Sequence, residues 1–348
     1  MSSTIKRGEK GTAAAPAAGS GGFGVLLRLR ELPVLIALAL LVLITYFNNP
    51  LFLSPQGVKD LLLNATIIII LAAGQTLLII TRNIDLSVGS MLGLVAFGTG
   101  SIFAALPGLP IVAVLLLGMA FGALLGAFNG FLVTVAKVPA LVITLGTLYV
   151  YRGLNNAWAG GKQYFAGDRP EAFGALSVDT VLGFPIITLM AIAVVAAVAV
   201  YMAGTRPGRD LYAIGSDPEA AKVLGIRVSQ RVFLAFLANG GLAGLAGVLY
   251  ASRFNSVGAT TGSGMELDVV AAAVVGGVAI FGGSGTVAGA ALGALLLTTI
   301  TSSLTALRVD KFWQQAIVGI LILTAIVIDR LASLRTARKL RISEARNV

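Results

Sequence analysis

Two uncharged, largely apolar runs, residues 61–80 and 88–106, flank the short polar segment TRNIDLSVGS (residues 81–90). No other feature of the chain restricts its fold as much. About 20 predominantly apolar residues suffice for a helix to cross the hydrocarbon core of a bilayer, and a soluble core helix has no use for that length on both sides of one turn. Composition agrees. The 348 residues are 57% hydrophobic and 11% charged, against roughly 25% charged in soluble domains, with a mean hydropathy of +0.93. The solvent around most of this chain is lipid.

Two absences narrow the chemistry. There is no Cys and no His, which removes disulfides, thiolate catalysis, Cys-based metal sites and the commonest general base. No covalent chemistry, bound cofactor or metal is expected of this chain. The formal charge of +10 would suggest nucleic acid in a soluble protein. Here the basic residues gather at the termini and in one loop, residues 205–231, so they read as orientation signals in a membrane, with no nucleic-acid partner. Residues 1–24 are small, polar and without an apolar h-region, and are expected to form a disordered cytoplasmic tail. Residues 25–330 read as the transmembrane domain and 331–348 as a basic cytoplasmic tail.

The predicted fold is an all-α polytopic membrane protein with about ten transmembrane helices. The spans are 33–52, 61–81, 87–106, 110–136, 139–157, 183–204, 229–252, 267–283, 286–306 and 312–329. Nine or eleven are also compatible, since the eighth and ninth almost touch at Gly282-Gly283-Ser284-Gly285. With the N-terminus inside, 18 of the 25 basic residues fall on the inner side. Only Lys59, Arg152, Lys162, Arg169, Arg253, Arg308 and Lys311 fall outside. Such asymmetry marks the cytoplasmic face and places both termini there, in a bacterial inner membrane. Gly118, Gly122, Gly126 and Gly130 recur every fourth residue in the fourth span, as do Gly285, Gly289 and Gly293 at the ninth and Gly89 with Gly93 in the third. This spacing lets helix backbones approach closely where lipid supplies no hydrophobic drive.

No Asp, Glu, Lys or Arg is predicted near the centre of a span; Asp85, Asp268 and Asp329 fall at span edges. A self-sufficient ion-driven transporter needs such a group or a broken helix, so it is disfavoured, although coordination by backbone carbonyls stays open. No Lys is followed by Ser or Thr, so the phosphate-cradling loop G-x-x-x-x-G-K-[ST] is missing. Any energy for transport must come from a partner. In the loop 205–231, Asp217 is a good N-cap, Pro218 fits the first helical position, Glu219 suits the N-terminal dipole and Gly225 can end the helix. The short helix is either interfacial, resting on lipid headgroups, or a docking element for an ATPase.

The segments TRNIDLSVGSMLG (81–93), AFNGFLVTVAKVPALVITLGTLYVYRGL (127–154), GRDLYAIGSDPEAAKVLGI (208–226) and AAAVVGGVAIFGGSGTVAGAALGALLLT (271–298) occur in this order. Together they resemble the permease subunits of bacterial ABC importers for ribose, xylose, rhamnose and autoinducer-2. The resemblance covers most of residues 33–330. It implies a vitamin-B12-importer-like (type II importer) bundle paired with a second permease chain, identical or homologous. It further implies a separate ATPase subunit carrying ATP and Mg, and a periplasmic substrate-binding protein. It places ATPase coupling on Gly215, Asp217, Glu219, Ala220, Ala221 and Gly225. The spacing from Glu219-Ala220-Ala221 to Gly225 departs from the Glu-Ala-Ala motif of other ABC importers, so the match is one of function only.

In the opening stretch, Asp85 or Ser87 is expected to cap the third span and Arg82 to pair with Asp85 across the turn. The candidate translocation pathway comprises Gln75, Asn83, Asp85, Ser87, Asn129 and Asn239. Each buried amide among these is alternatively an interhelical hydrogen bond. Lys137, Val138 and Pro139, at the turn between the fourth and fifth spans, form the candidate inner gate. The charged segment 158–182 is either a binding-protein surface or a solvated loop. The resulting function is transport of a monosaccharide or related polyol by alternating access. Its alternatives are a branched-chain amino-acid permease and a transporter or facilitator that needs no ATPase.

Overall fold

A computed structural model describes residues 31–310, 313–320 and 323–324. The expected tails, 1–24 and 331–348, lie outside the described residues, as do Asp329 and part of the tenth predicted span. The chain forms α1 (Leu32–Asn48), α2 (Pro55–Ile80), α3 (Val88–Ala105), α4 (Ile111–Ala136), α5 (Ala140–Ala159) and α6 (Glu171–Val178). It continues through α7 (Ile186–Gly204), α8 (Arg206–Ser216), α9 (Pro218–Val223), α10 (Val228–Arg253), α11 (Met265–Val275) and α12 (Val287–Ala306). Among the described residues, six helices are long and apolar enough to cross a membrane: α2, α3, α4, α7, α10 and α12. Two short antiparallel pairings lie between helices. β1 (Tyr164–Phe165) pairs with β4 (Ser256–Val257), and β2 (Thr180–Val181) with β3 (Phe184–Pro185). One end of the bundle carries Arg82, Lys137, α8, α9 and Arg227, and is here termed the basic end.

The four-residue glycine repeat of α4 seats directly on α10. A methyl group on Gly122 would lie 2.6 Å from Gly244 Cα, and one on Gly126 2.9 Å from Gly240 Cα. Gly118 faces Val248 and Gly244, and Gly130 faces Phe236. The backbones of α4 and α10 therefore touch without intervening side chains, the small-residue packing that operates between helices in lipid. The glycines of α12 act likewise, Gly289 against Gly276 and Gly293 against Ala272.

The most buried helix is α2, where Ala72, Ala73, Leu78, Ile79 and Ile80 show no exposed surface. By contrast α4 and α7 face outward along most of their length, with Leu116, Leu124, Phe128 and Ile192 exposed, as lipid-facing helices are.

The predicted topology differs from the structure at two places, one span and one connection. The span 267–283 is the eleven-residue α11, about 16 Å long at 1.5 Å per residue, followed by a loop in which Gly277, Gly282, Gly283 and Gly285 all have positive φ. The glycines that permit this loop also end the helix. The other is the second-to-third connection, which dips inward: Asp85 contacts Asn129 and Asn239, roughly 10 and 16 Å from the basic ends of α4 and α10. So α3 begins at mid-depth.

Substituting Gly122→Leu should lower the apparent melting temperature of the purified protein or abolish its folded yield. Overpacking costs about 1–3 kcal/mol even where neighbours can shift, and here the neighbour is backbone. Gly146→Ala, where nothing lies within 4 Å of the added methyl, should leave both unchanged; thermal denaturation followed by size-exclusion profile checks the pair.

Candidate functional site

The buried centre is organised around one carboxylate. Asp85 Oδ1 accepts from the Ser87 amide (2.8 Å) and hydroxyl (2.6 Å). Asp85 Oδ2 accepts from Asn239 Nδ2 (3.1 Å) and, at 3.4 Å, from Asn129 Nδ2. Asn129 Nδ2 also donates to Ser87 Oγ (2.8 Å), and Tyr151 Oη donates to Asn129 Oδ1 (3.2 Å) and Leu125 O (2.9 Å). Asp85, Ser87, Asn129 and Asn239 are all buried. A charge so placed survives only when its lone pairs are filled, and donors from the turn, α4 and α10 fill them. Four of the six candidate pathway residues thus come together in one closed network. Gln75 is buried too, but neither of its amide atoms has a hydrogen-bond partner among the described residues. Asn83 turns back on its own loop, donating to Thr81 O (2.9 Å) and Thr81 Oγ1 (3.0 Å).

Several sequence expectations are corrected here. Asp85 stands between the end of α2 and the start of α3, a span edge as expected, but inside the bundle rather than at its surface, because the whole turn is drawn inward by its hydrogen bonds. Arg82 does not pair with Asp85. With φ +64 its side chain is directed away, donating from Nε to Gly215 O (2.6 Å) and from Nη2 to Ser216 O (2.7 Å). Arg152, counted with the outer basic residues, lies inside α5 and donates to Thr261 O (2.5 Å). Asp268 lies near the start of α11, at a helix edge as expected, and Glu266, on the first turn of α11, approaches Gly89 near the start of α3.

The basic end is tied together at one point. Gly215, at the end of α8, packs on Ile80 O and on the amide of Gly283, and Gly283 N donates to Ile80 O (2.9 Å). Tyr212 Oη adds a bond to Gly285 O (3.0 Å). A side chain at Gly215 would collide with this backbone, which is why glycine stands there. Directly after the knot, Asp217 caps α9 as the sequence predicts, its Oδ1 accepting from the Glu219 and Ala220 amides at 3.0 Å each. Gly225, φ +81, lies beyond its end. Ala221 is buried against the bundle, whereas Val223 and Leu224 are 87% and 78% exposed. Lys137, φ 55, ends α4, and Pro139 starts α5 at the same end. The opposite end holds a cleft of about 610 Å³ bordered by Lys59, Asp60, Arg169, Glu171, Asp179 and Arg253, so part of the charged segment 158–182 faces into it.

Helix α8 and the contribution of Tyr151 had no place in the sequence reading, and Arg152 entered it only as an outer charge. A signal for Tyr151 was present: Thr144, Thr147, Tyr151 and Asn155 lie three to four residues apart and form the buried stripe of α5, a polar face at helical spacing.

A multi-pass helical bundle with inward-dipping turns, a buried polar centre and a short helix ending in two exposed apolar side chains at one end fits a membrane permease component. The chain belongs to the family described as branched-chain amino acid transport system / permease component, whose model matches residues 57–326. The permease resemblance carried by its sequence motifs thereby stands. It is similar to the autoinducer 2 import system permease protein LsrC of Escherichia coli (strain K12 / DH10B), 40% identical over 314 residues covering 90% of each chain. The LsrC of Enterobacter sp. (strain 638) is 40% identical over 321 residues, 91% of this chain and 92% of its own. That of Salmonella paratyphi B is 38% identical over 314 residues, 90% of this chain and 89% of its own. No solved structure matches the chain.

Asn239→Leu should destabilise the protein by about 1–3 kcal/mol, the cost of leaving a buried acceptor short of a donor, read as a lowered thermal midpoint. Arg82→Ala should release α8 and α9 from α2, seen as faster tryptic cleavage at Lys222 and Arg227 while the thermal midpoint of the bundle changes little.

Proposed function

We propose that this chain is the membrane-spanning subunit of an ATP-driven importer in a bacterial inner membrane, a type II bundle of about ten spans with both termini cytoplasmic. It catalyses no covalent step. It pairs with a second permease chain and receives its solute from a periplasmic substrate-binding protein. Alternating access is driven by an ATPase subunit that holds ATP and Mg. The observation that carries this reading is the surface formed by Val223 and Leu224. Two large apolar side chains stand almost fully exposed on a capped helix outside the bundle, and apolar residues presented this way mark a docking face for another protein.

The knot of Gly215, Arg82 and Gly283 gives a push on α9 a rigid route to the end of α2. Coupling is therefore assigned to Gly215, Asp217, Glu219, Ala220, Ala221 and Gly225, and the inner gate to Lys137, Val138 and Pro139 at the same end. The solute is an autoinducer-2 or monosaccharide type. Relatives bearing the autoinducer 2 import name match nine tenths of the chain at about 40% identity, which favours this solute over the branched-chain amino acids of the family description.

A second reading is favoured by one observation. Asp85 and Glu266 reach mid-depth and α11 is a half-length helix, so the features a self-sufficient transporter requires are present after all. Dependence on the ATPase separates the two. Purified gently from native membranes, the chain should bring a stoichiometric P-loop ATPase. The double substitution Val223→Asp, Leu224→Asp should release that ATPase while the permease stays folded and monodisperse. Uptake that persists in liposomes without the ATPase would overturn the importer reading in favour of the second.

A further inference from the structure

After α10 the backbone passes through the β4 pairing and then turns into the bundle before α11 begins. Side chains of α5 hold its path. Arg152 Nη1 donates to Thr261 O and, at 3.4 Å, to Ala259 O, and Asn155 Nδ2 donates to Ala259 O (3.1 Å) and Gly258 O (3.4 Å). Thr261 and Gly262 are buried, packed on Gly93 and Gly89 of α3. The start of α11 therefore lies level with the start of α3, deep in the membrane. From there about 16 Å of helix leads to the Gly276–Gly283 region at the basic end, where Gly283 bonds Ile80 O.

Along this segment Ser263, Gly264, Leu267 and Asp268 are exposed. Beside them Glu266 Oε2 is buried without a hydrogen-bond partner among the described residues. Lipid cannot be the neighbour of such a strip. Irregular backbone is tolerated at membrane depth only inside protein or against water, and an ionisable side chain at that depth faces a bundle interior or an aqueous cavity. The Asp85 network offers no such face, since its carboxylate is enclosed and served by Ser87, Asn129 and Asn239.

We propose that residues 263–268 line an aqueous passage at mid-membrane depth, with the second permease chain as its opposite wall, and that they contact the solute there. The solute class that fits is a small uncharged polyhydroxy compound. Carboxylates accept but do not donate, so the exposed Asp268 accepts hydrogen bonds from the hydroxyls of the solute, and its charge repels anions. Ser263 can do either. This inference rests on the permease reading above and moves the solute contact away from the buried polar centre.

The natural absence of cysteine makes the test direct. Single cysteines are placed at Ser263, Leu267, Leu182 and Leu124, and the intact complex in proteoliposomes is treated with a membrane-impermeant methanethiosulfonate. Ser263→Cys and Leu267→Cys should label at rates within about tenfold of Leu182→Cys, whose position in the β2–β3 turn is 94% exposed, equivalent to 1.4 kcal/mol, while Leu124→Cys on the outer face of α4 stays unlabelled. Two positions are used so that a misfolded variant does not decide the matter. If both resist the reagent while Leu182→Cys reacts, the passage is overturned. In cells carrying the complete system, Asp268→Leu should cut autoinducer 2 uptake about tenfold or more per assembled complex, and Asp268→Asn, which keeps an acceptor, should restore a large part. Unchanged uptake in Asp268→Leu would overturn the solute contact. Failure of the unaltered protein to take up autoinducer 2 counts against the solute assigned in the preceding subsection, and the labelling rates still decide the passage.

Discussion

A single buried carboxylate sets the terms for the centre of this protein. Placing Asp85 at mid-depth is costly unless its oxygens are filled, and the donors sit on separate elements: Ser87 on the turn, Asn129 on α4 and Asn239 on α10. Satisfying them fixes where the turn lies, and with it the depth at which α3 starts. Because α3 starts deep, Gly89 and Gly93 stand where Gly262 and Thr261 can pack on them. The second inward-dipping segment thus depends on the first. The protein holds two stretches of irregular backbone inside the membrane, each braced by side chains of a neighbouring helix.

The sequence made the lipid environment, the long helices and the α4 glycine face legible, because hydropathy and periodicity depend on neighbours in the chain. The N-cap role of Asp217 was legible for the same reason. The depth of Asp85 was not. A charge between two apolar runs reads as a loop at the surface, and only the amides of Asn129 and Asn239, 44 and 154 residues away, reveal that it is drawn inward. The shortness of α11 was hidden by the apolar residues that follow it: 267–283 has the composition of a span, while its glycines adopt backbone angles that no helix contains. Arg82 shows a further failure of local reasoning. Asp85 is three residues away and of opposite charge, yet the carbonyls of Gly215 and Ser216 win its guanidinium. The positions expected to line a pathway mostly form a closed knot, so residue type identified a polar centre without identifying what it faces.

The basic end joins three distant parts of the chain through backbone rather than side-chain packing. Ile80, Gly215 and Gly283 meet with no side chains between them, and Arg82 clamps the junction. Such a contact transmits displacement with little loss, because few rotatable bonds lie along it. The exposed Val223 and Leu224 follow immediately after it in the chain.

The seam between α4 and α10 has a mechanical consequence. Where two helices touch through side chains, they slide or roll by exchanging rotamers, and packed interfaces can hold two discrete arrangements. Between Gly122, Gly126, Gly240 and Gly244 there are no rotamers to exchange, and a shift of one residue would drive Ala123 or Phe121 into opposing backbone. These two helices are packed as one rigid unit. Any rearrangement within the bundle has to take place at side-chain contacts elsewhere, with this glycine seam as its fixed axis.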